Sequence, residues 1–173
     1  MHILSLTAAD AMRYRELMLE AYTRAADAFT STAEERALEP ESWWIDRIAS
    51  PAGLSVCFGA ETEGRLVGAV SLEYSAKPKT RHAALLIGMY VSRDARGQGA
   101  ARALLTAALQ HASQRRGVIT VNLTVTEGNT PAISLYQSAG FQAWGTQPLA
   151  IATPSGFRGK VHMCCTLPGR RPA

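Results

Sequence analysis

In Arg96-Gly97-Gln98-Gly99-Ala100-Ala101-Arg102, two glycines and two arginines stand where an apolar segment gives way to a helix. Across Gly99–Arg116, Ala101, Leu104, Leu105, Ala108 and Ala112 recur on one face. Arg115 and Arg116 suit the negative end of the helix dipole, and Gly117 suits the position just past it. The first N–H groups of a helix have no partner within it and lie at its positive end. A phosphate placed there can accept from them. Gly97 and Gly99 remove side chains that would hold an anion away, and Arg96 and Arg102 can add charge-assisted bonds. The same glycines would also serve a helix start that merely needs a tight turn. A P-loop is excluded, because no Gly-Lys-Ser/Thr follows. A Rossmann dinucleotide site fits poorly, because Arg102 follows Gly97-x-Gly99 where Gly or Ala is needed, and the preceding strands read as hairpin-linked.

Those strands lie upstream. Leu54–Ala60 is apolar, Glu61–Gly64 reads as a hairpin turn and Arg65–Tyr74 as the returning strand. Lys77–Lys79 turns the chain into Arg81–Val91, where Gly88 marks a bulge or a close backbone approach. Nearer the N-terminus, His2–Leu6 is a short strand and Thr7 caps a helix over Ala8–Phe29. Glu34–Glu41 reads as loop, and Pro40 opens a second helix carrying Trp43, Trp44, Ile45 and Ile48, stopped by Pro51 and Gly53. Downstream, Val118–Thr126 alternates with Ile119, Val121, Leu123 and Val125 on one side. Thr130-Pro131 opens a helix to Ala139, and Phe141–Trp144 and Lys160–Leu167 are closing strands. The expectation is one α/β domain over residues 1–167 with a mixed sheet, and a disordered tail over 168–173.

Composition narrows the function classes. The 173 residues are 47% apolar and 18% charged, ordinary for a globular domain. No stretch is long enough to span a membrane as a helix. Met1–Ser5 shows no basic region followed by an apolar run, so a cytoplasmic protein is expected. Cys57, Cys164 and Cys165 are too few for a disulfide framework and read as packing residues. No Cys/His set has zinc spacing, so no metal is expected. The net charge of +4 points to an anionic partner, but the bases are scattered rather than gathered with aromatics, which argues against nucleic acid. A polyphosphate ligand would explain the same bias with fewer residues.

Two motifs in order sharpen this. Val91-x-x-x-x-Arg96-Gly97-Gln98-Gly99-Ala100-Ala101, followed by Leu104-Leu105, resembles the acetyl-CoA motif of the GNAT acetyltransferase superfamily. Asn129-x-x-Ala132-x-x-x-Tyr136-x-x-x-Gly140-Phe141 resembles the second GNAT motif at the expected distance. The resemblance spans at least Arg65–Phe141, and Trp144–Pro148 and His162-Met163 look like the end of many small bacterial members. Ala101 stands where many members have Gly, a variation the pattern allows.

The resemblance implies a mostly antiparallel sheet, flanked by helices, whose strands Arg81–Val91 and Val118–Thr126 splay apart to hold the pantetheine arm. Backbone groups of Met89, Tyr90 and Val91 would bond that arm, with an N–H at the bulge polarising the thioester carbonyl. Residues Arg96, Gly97, Gln98, Gly99, Ala100, Ala101 and Arg102 would hold the pyrophosphate. Asn129 would hold the arm, or cap the helix that starts at Pro131, or both. Tyr136 would protonate the departing thiolate, or be a half-buried core aromatic. The base is open between Glu73, His82, Glu127 and water. The implied activity is acetyl transfer from acetyl-CoA to a primary amine, of a small molecule or of a protein, by direct attack in a ternary complex. The alternative is a non-catalytic CoA-binding regulatory module. The acceptor would be met by Ala21–Glu41, by Trp43 and Trp44 if these are not core, and by a loop over Ala152–Lys160. A homodimer is expected from the same resemblance.

Overall fold

The apolar run Leu66–Val70 leaves no polar face for solvent, and it forms the middle of a sheet covered on both sides. The computed structural model describes residues 1–170. Among them, seven strands make one mixed sheet: β1 His2–Ser5, β2 Ser55–Thr62, β3 Arg65–Tyr74, β4 Ala83–Val91, β5 Thr120–Thr126, β6 Gln142–Thr153 and β7 Gly156–Thr166. Their spatial order is β1-β2-β3-β4-β5-β7-β6. Every neighbouring pair is antiparallel except β4 and β5, which are parallel.

Helices fill both faces. On one side α1 (Ala11–Arg24) and α3 (Glu41–Ala49) bury Tyr14, Met18, Trp44 and Ile48 against Cys57 and Ala69. Trp44 is fully buried and meets the Tyr14 ring edge-on at 5.9 Å. On the other side α4 (Ala100–Gln114) places Leu104, Leu105 and Ala108 over Val70, Leu72 and Val121. Each such leucine or valine side chain contributes roughly 1.5–3 kcal/mol on full burial. The last helix, α5 (Thr130–Ser138), packs its Tyr136 with Phe141 at the far end of that core.

Three expectations are corrected. Helix α1 stops at Arg24 rather than Phe29, and Ala26–Ala28 form a 3₁₀ turn. Tertiary bonds override the alanine-rich helical propensity there, since Thr126 Oγ1 donates to the Asp27 carbonyl at 2.6 Å. The segment read as loop contains a short helix, α2 (Ala33–Ala37), nucleated by a reciprocal cap between Thr32 and Glu35. The loop expected over Ala152–Lys160 is the tip of a long β6–β7 hairpin. Pro148 is absorbed there by a bulge between Gln147 and Ile151, where Leu149 takes φ 51°.

The three cysteines are free, and burial pushes the Cys57 thiol up to about 12 and raises Cys164 and Cys165, as suits packing residues. Pro168–Arg170, expected as the start of a disordered tail, form a turn with the Arg170 guanidinium donating to the Ser113 carbonyl at 2.9 Å. The rest of that expected tail, 171–173, lies outside the described residues. No helix among the described residues is long and apolar enough to cross a membrane.

Candidate active site

A bulge opens the sheet. Gly88 has φ +64°, a left-handed conformation that favours glycine. Ala69 pairs with Tyr90 and Ser71 with Ile87, so Gly88 and Met89 together oppose Val70. The extra residue bends β4. On its other edge β4 pairs with β5 only over Ala83–Leu85 and Thr120–Asn122, and beyond Leu85 the two strands part. The splay expected between them is therefore present, and the β5-facing backbone of Leu86–Met89 has no strand partner.

A cavity of about 180 Å³ fills this V. Gly88, Met89, Thr124–Thr126 and Tyr136 line it, with Ala28–Thr30 crossing above and Arg47, Asn129 and Lys160 at its sides. Tyr136 is 6% exposed, and its ring meets Phe141 edge-on at 5.8 Å. Burial pushes its hydroxyl up to about 12, so it stays protonated at neutral pH and keeps a hydrogen to donate. The side chain thus lines the cavity while its ring packs in the core.

A larger cleft of about 710 Å³ adjoins, lined by Arg96, Thr126–Asn129, Arg158 and the Thr23–Ala28 crossing. At its edge lies the glycine loop. Gly97 (φ +76°) and Gly99 (φ +83°, the N-cap of α4) are both left-handed, and a Cβ on either would meet nothing within 4 Å. The glycines are needed for backbone shape, and the space above them is open. Arg96 is pre-set: its Nε donates to the Val91 carbonyl at 3.1 Å, and its guanidinium lies 5.9 Å from the Tyr90 ring. Gln98 is turned back, its Nε2 donating to the Asp94 carbonyl at 3.1 Å. Ala100 is buried, Ala101 half-buried and Arg102 exposed.

The remaining expected residues divide. Asn129 does cap α5, its Oδ1 accepting from Ala132 N at 3.3 Å, and it lines both cavities. Tyr90 and Val91 send their side chains into opposite cores, and Tyr90 Oη donates to Glu20 at 2.9 Å. Only their backbones can serve a ligand, and the Val91 carbonyl is already taken by Arg96. None of the three candidate base residues lines the small cavity. The Glu73 carboxylate pairs with Arg47 at 3.5 Å. His82 is exposed at the closed end of the V, its carbonyl accepting from Ile119 N and Thr120 N. Glu127 sits exposed on the wall of the larger cleft. Trp44 is core, and the Trp43 ring carries the guanidinium groups of Arg36 and Arg47 at 4.6 and 5.2 Å from its centre. Of Ala152–Lys160, Lys160 reaches the small cavity and Arg158 the larger.

Sequence reasoning missed Arg47, and it held Lys160 only as the end of a segment expected to meet the acceptor. Lys160 carries one signal, a basic residue beside the apolar run Val161–Cys165. Arg47 is an ordinary helix arginine in sequence.

This chain belongs to the GNAT acetyltransferase family: residues 14–141 match the model of the Acetyltransferase (GNAT) family. It is 39% identical over 110 residues to N-acetyltransferase family 8 member 2 of Rattus norvegicus, covering 63% of this chain and 48% of that protein. The chain therefore spans about half the length of that curated relative. Among solved structures it resembles a ribosomal-protein-alanine N-acetyltransferase from Brucella melitensis, with TM-score 0.79, 26% identity, and coverage of 96% of this chain and 100% of that one. It shares its fold with yncA of Salmonella typhimurium, solved with its cofactor acetyl-CoA, at TM-score 0.81, 20% identity, and coverage of 100% and 97%.

Proposed function

We propose that this chain moves an acetyl group from acetyl-CoA to a primary amine by direct attack in a ternary complex. The observation that carries the reading is the parting of β4 and β5 beyond Leu85, opening toward a left-handed glycine loop at the start of α4. Acetyl-CoA fits this arrangement in its chemical parts. The pyrophosphate would accept from the N–H groups after Gly97 and from Arg96 and Arg102, in the open space above the glycines. Gln98, Ala100 and Ala101 contribute backbone. The pantetheine arm would use the unpaired β4 edge at Met89–Val91 and the Asn129 side chain. The thioester would lie against Gly88 and Met89, where an N–H polarises its carbonyl.

The amine nitrogen then forms its bond to the carbonyl carbon as the carbon–sulfur bond breaks. Tyr136 donates a hydrogen bond, and then its proton, to the leaving sulfur. The amine's proton leaves through water, since no candidate base residue lines the small cavity, and a proton from water restores the Tyr136 hydroxyl. We read the protein as cytoplasmic and dimeric. The experiment is a panel of amines with acetyl-CoA, reading thiol release. Release that requires both protein and amine is expected; none with any amine would contradict the reading.

A further inference from the structure

Two cations face the small cavity, and no carboxylate does. Lys160 stands opposite Thr126 in the β5–β7 register, so both point to one side of the sheet. It is only 7% exposed. Lysine is almost never buried that deeply without an ionic partner, and none is found for it among the described residues. Its Nζ donates to Thr126 Oγ1 at 2.8 Å and to the Ala28 carbonyl at 3.2 Å. An ammonium has three donors, which leaves one for a ligand. Burial lowers its pKa, the sign of a charge that lacks compensation. Arg47 comes from α3. Its position is held by the Trp43 ring at 5.2 Å and Glu73 at 3.5 Å, and its buried Nε has no partner.

An uncompensated buried cation costs stability, so its retention in a ligand cavity calls for an anion that arrives with the ligand. The reacting amine sets a second condition. With no base lining the cavity and the unpaired Lys160 beside it, an incoming ammonium is pushed toward its neutral, nucleophilic form. An amine less basic than a lysine side chain, near ~10.4, meets that condition more readily.

Building on the acetyl-transfer reading above, we propose that the acceptor is a small amine carrying its own carboxylate, of the α-amino acid class, and that Lys160 and Arg47 bind that carboxylate. A polyamine brings the wrong charge, and a protein N-terminus brings the α-amino group without the carboxylate.

The test compares each of a set of L-amino acids with its amide and with the corresponding decarboxylated amine, at saturating acetyl-CoA, by thiol release. The acid should exceed its amide in kcat/KM by roughly tenfold or more, the scale of a charge-assisted hydrogen bond. Lys160→Met and Arg47→Gln should each lower the rate with the acid and spare the amide, collapsing the ratio. If Lys160 only ties β5 and β7 to the Ala28 crossing, acid and amide fall together and the ratio stands, which overturns the proposal. Amides or simple amines used better than acids by the wild-type protein overturn it without any variant. Should no compound release thiol, the acetyl-transfer reading fails by itself. The carboxylate claim is then decided by calorimetry of N-acetyl-leucine against N-acetyl-leucinamide with CoA present. Tighter binding of the acid supports it, and equal or absent binding overturns it.

Discussion

Replacing Tyr136 by Phe deletes one hydroxyl from a wall of the small cavity and leaves the packing alone. The ring is 6% exposed and meets Phe141 edge-on at 5.8 Å, contacts that Phe reproduces. Stability should therefore change by no more than about one hydrogen bond, ~1 kcal/mol. The kinetic effect is larger. General acids typically supply about 10²–10⁴-fold. The Tyr136 hydroxyl lies at about 12, against ~8.5 for a free thiol. Proton transfer to a solvated thiolate would be uphill by about 3.5 pKa units, roughly 5 kcal/mol. Burial of the thiolate in the same cavity raises its basicity and narrows that gap. Donation thus begins as a hydrogen bond that strengthens while the carbon–sulfur bond lengthens, and kcat should fall near the lower end of the range, about 10²-fold. Acetyl-CoA binding should hardly change. Because burial raises the hydroxyl so far, the tyrosine remains protonated below about pH 10 and gives the wild-type rate no alkaline limb there. The assay is kcat from thiol release together with the denaturation midpoint, on the same preparation. Full turnover in the Phe variant at unchanged stability would remove Tyr136 from the mechanism.

Gly99→Val should abolish CoA binding with a native far-UV circular dichroism spectrum, because the new side chain projects into the open space above the loop. Forcing a Cβ into φ +83° should also cost stability, about 1–2 kcal/mol, so unchanged affinity would make the loop only a turn. His82→Gln should leave kcat and KM unaltered, since the side chain is exposed at the closed end of the V; a large loss of kcat would put it back in the mechanism. The dimer is expected to form through the β6–β7 hairpin, where Trp144, Leu149 and Phe157 are 68%, 74% and 68% exposed. Sedimentation should give a dimer at micromolar concentration that Trp144→Arg dissociates, and a monomeric wild-type protein refutes it.

The central half of the fold was legible because its signals are local. Strand β3, the turn at Glu63-Gly64, the Gly88 bulge and the face of α4 follow from side-chain alternation, glycine placement and 3.6-residue spacing. The glycine loop and the α5 cap lie at helix starts, where few residue types suffice. Partnerships distant in sequence were not legible. The break at Arg24 depends on Thr126 and Lys160 binding carbonyls about a hundred residues or more away. The hairpin tip hid behind Pro148, Pro154 and Gly159. Gly159 suits the close strand approach there, since a Cβ would lie 3.0 Å from the Gln147 carbonyl. The cationic cavity wall is the clearest case: Lys160 and Arg47 come from β7 and α3, and only the folded chain brings them to one cavity.

Calorimetry of CoA against pantetheine, with the same wild-type protein, tests most directly whether the glycine loop and the V between β4 and β5 form one acetyl-CoA site. CoA should bind clearly and pantetheine far more weakly, since the proposed pyrophosphate contacts at Arg96–Arg102 would carry the affinity; equal affinity for the two, or no binding of either, would contradict the account.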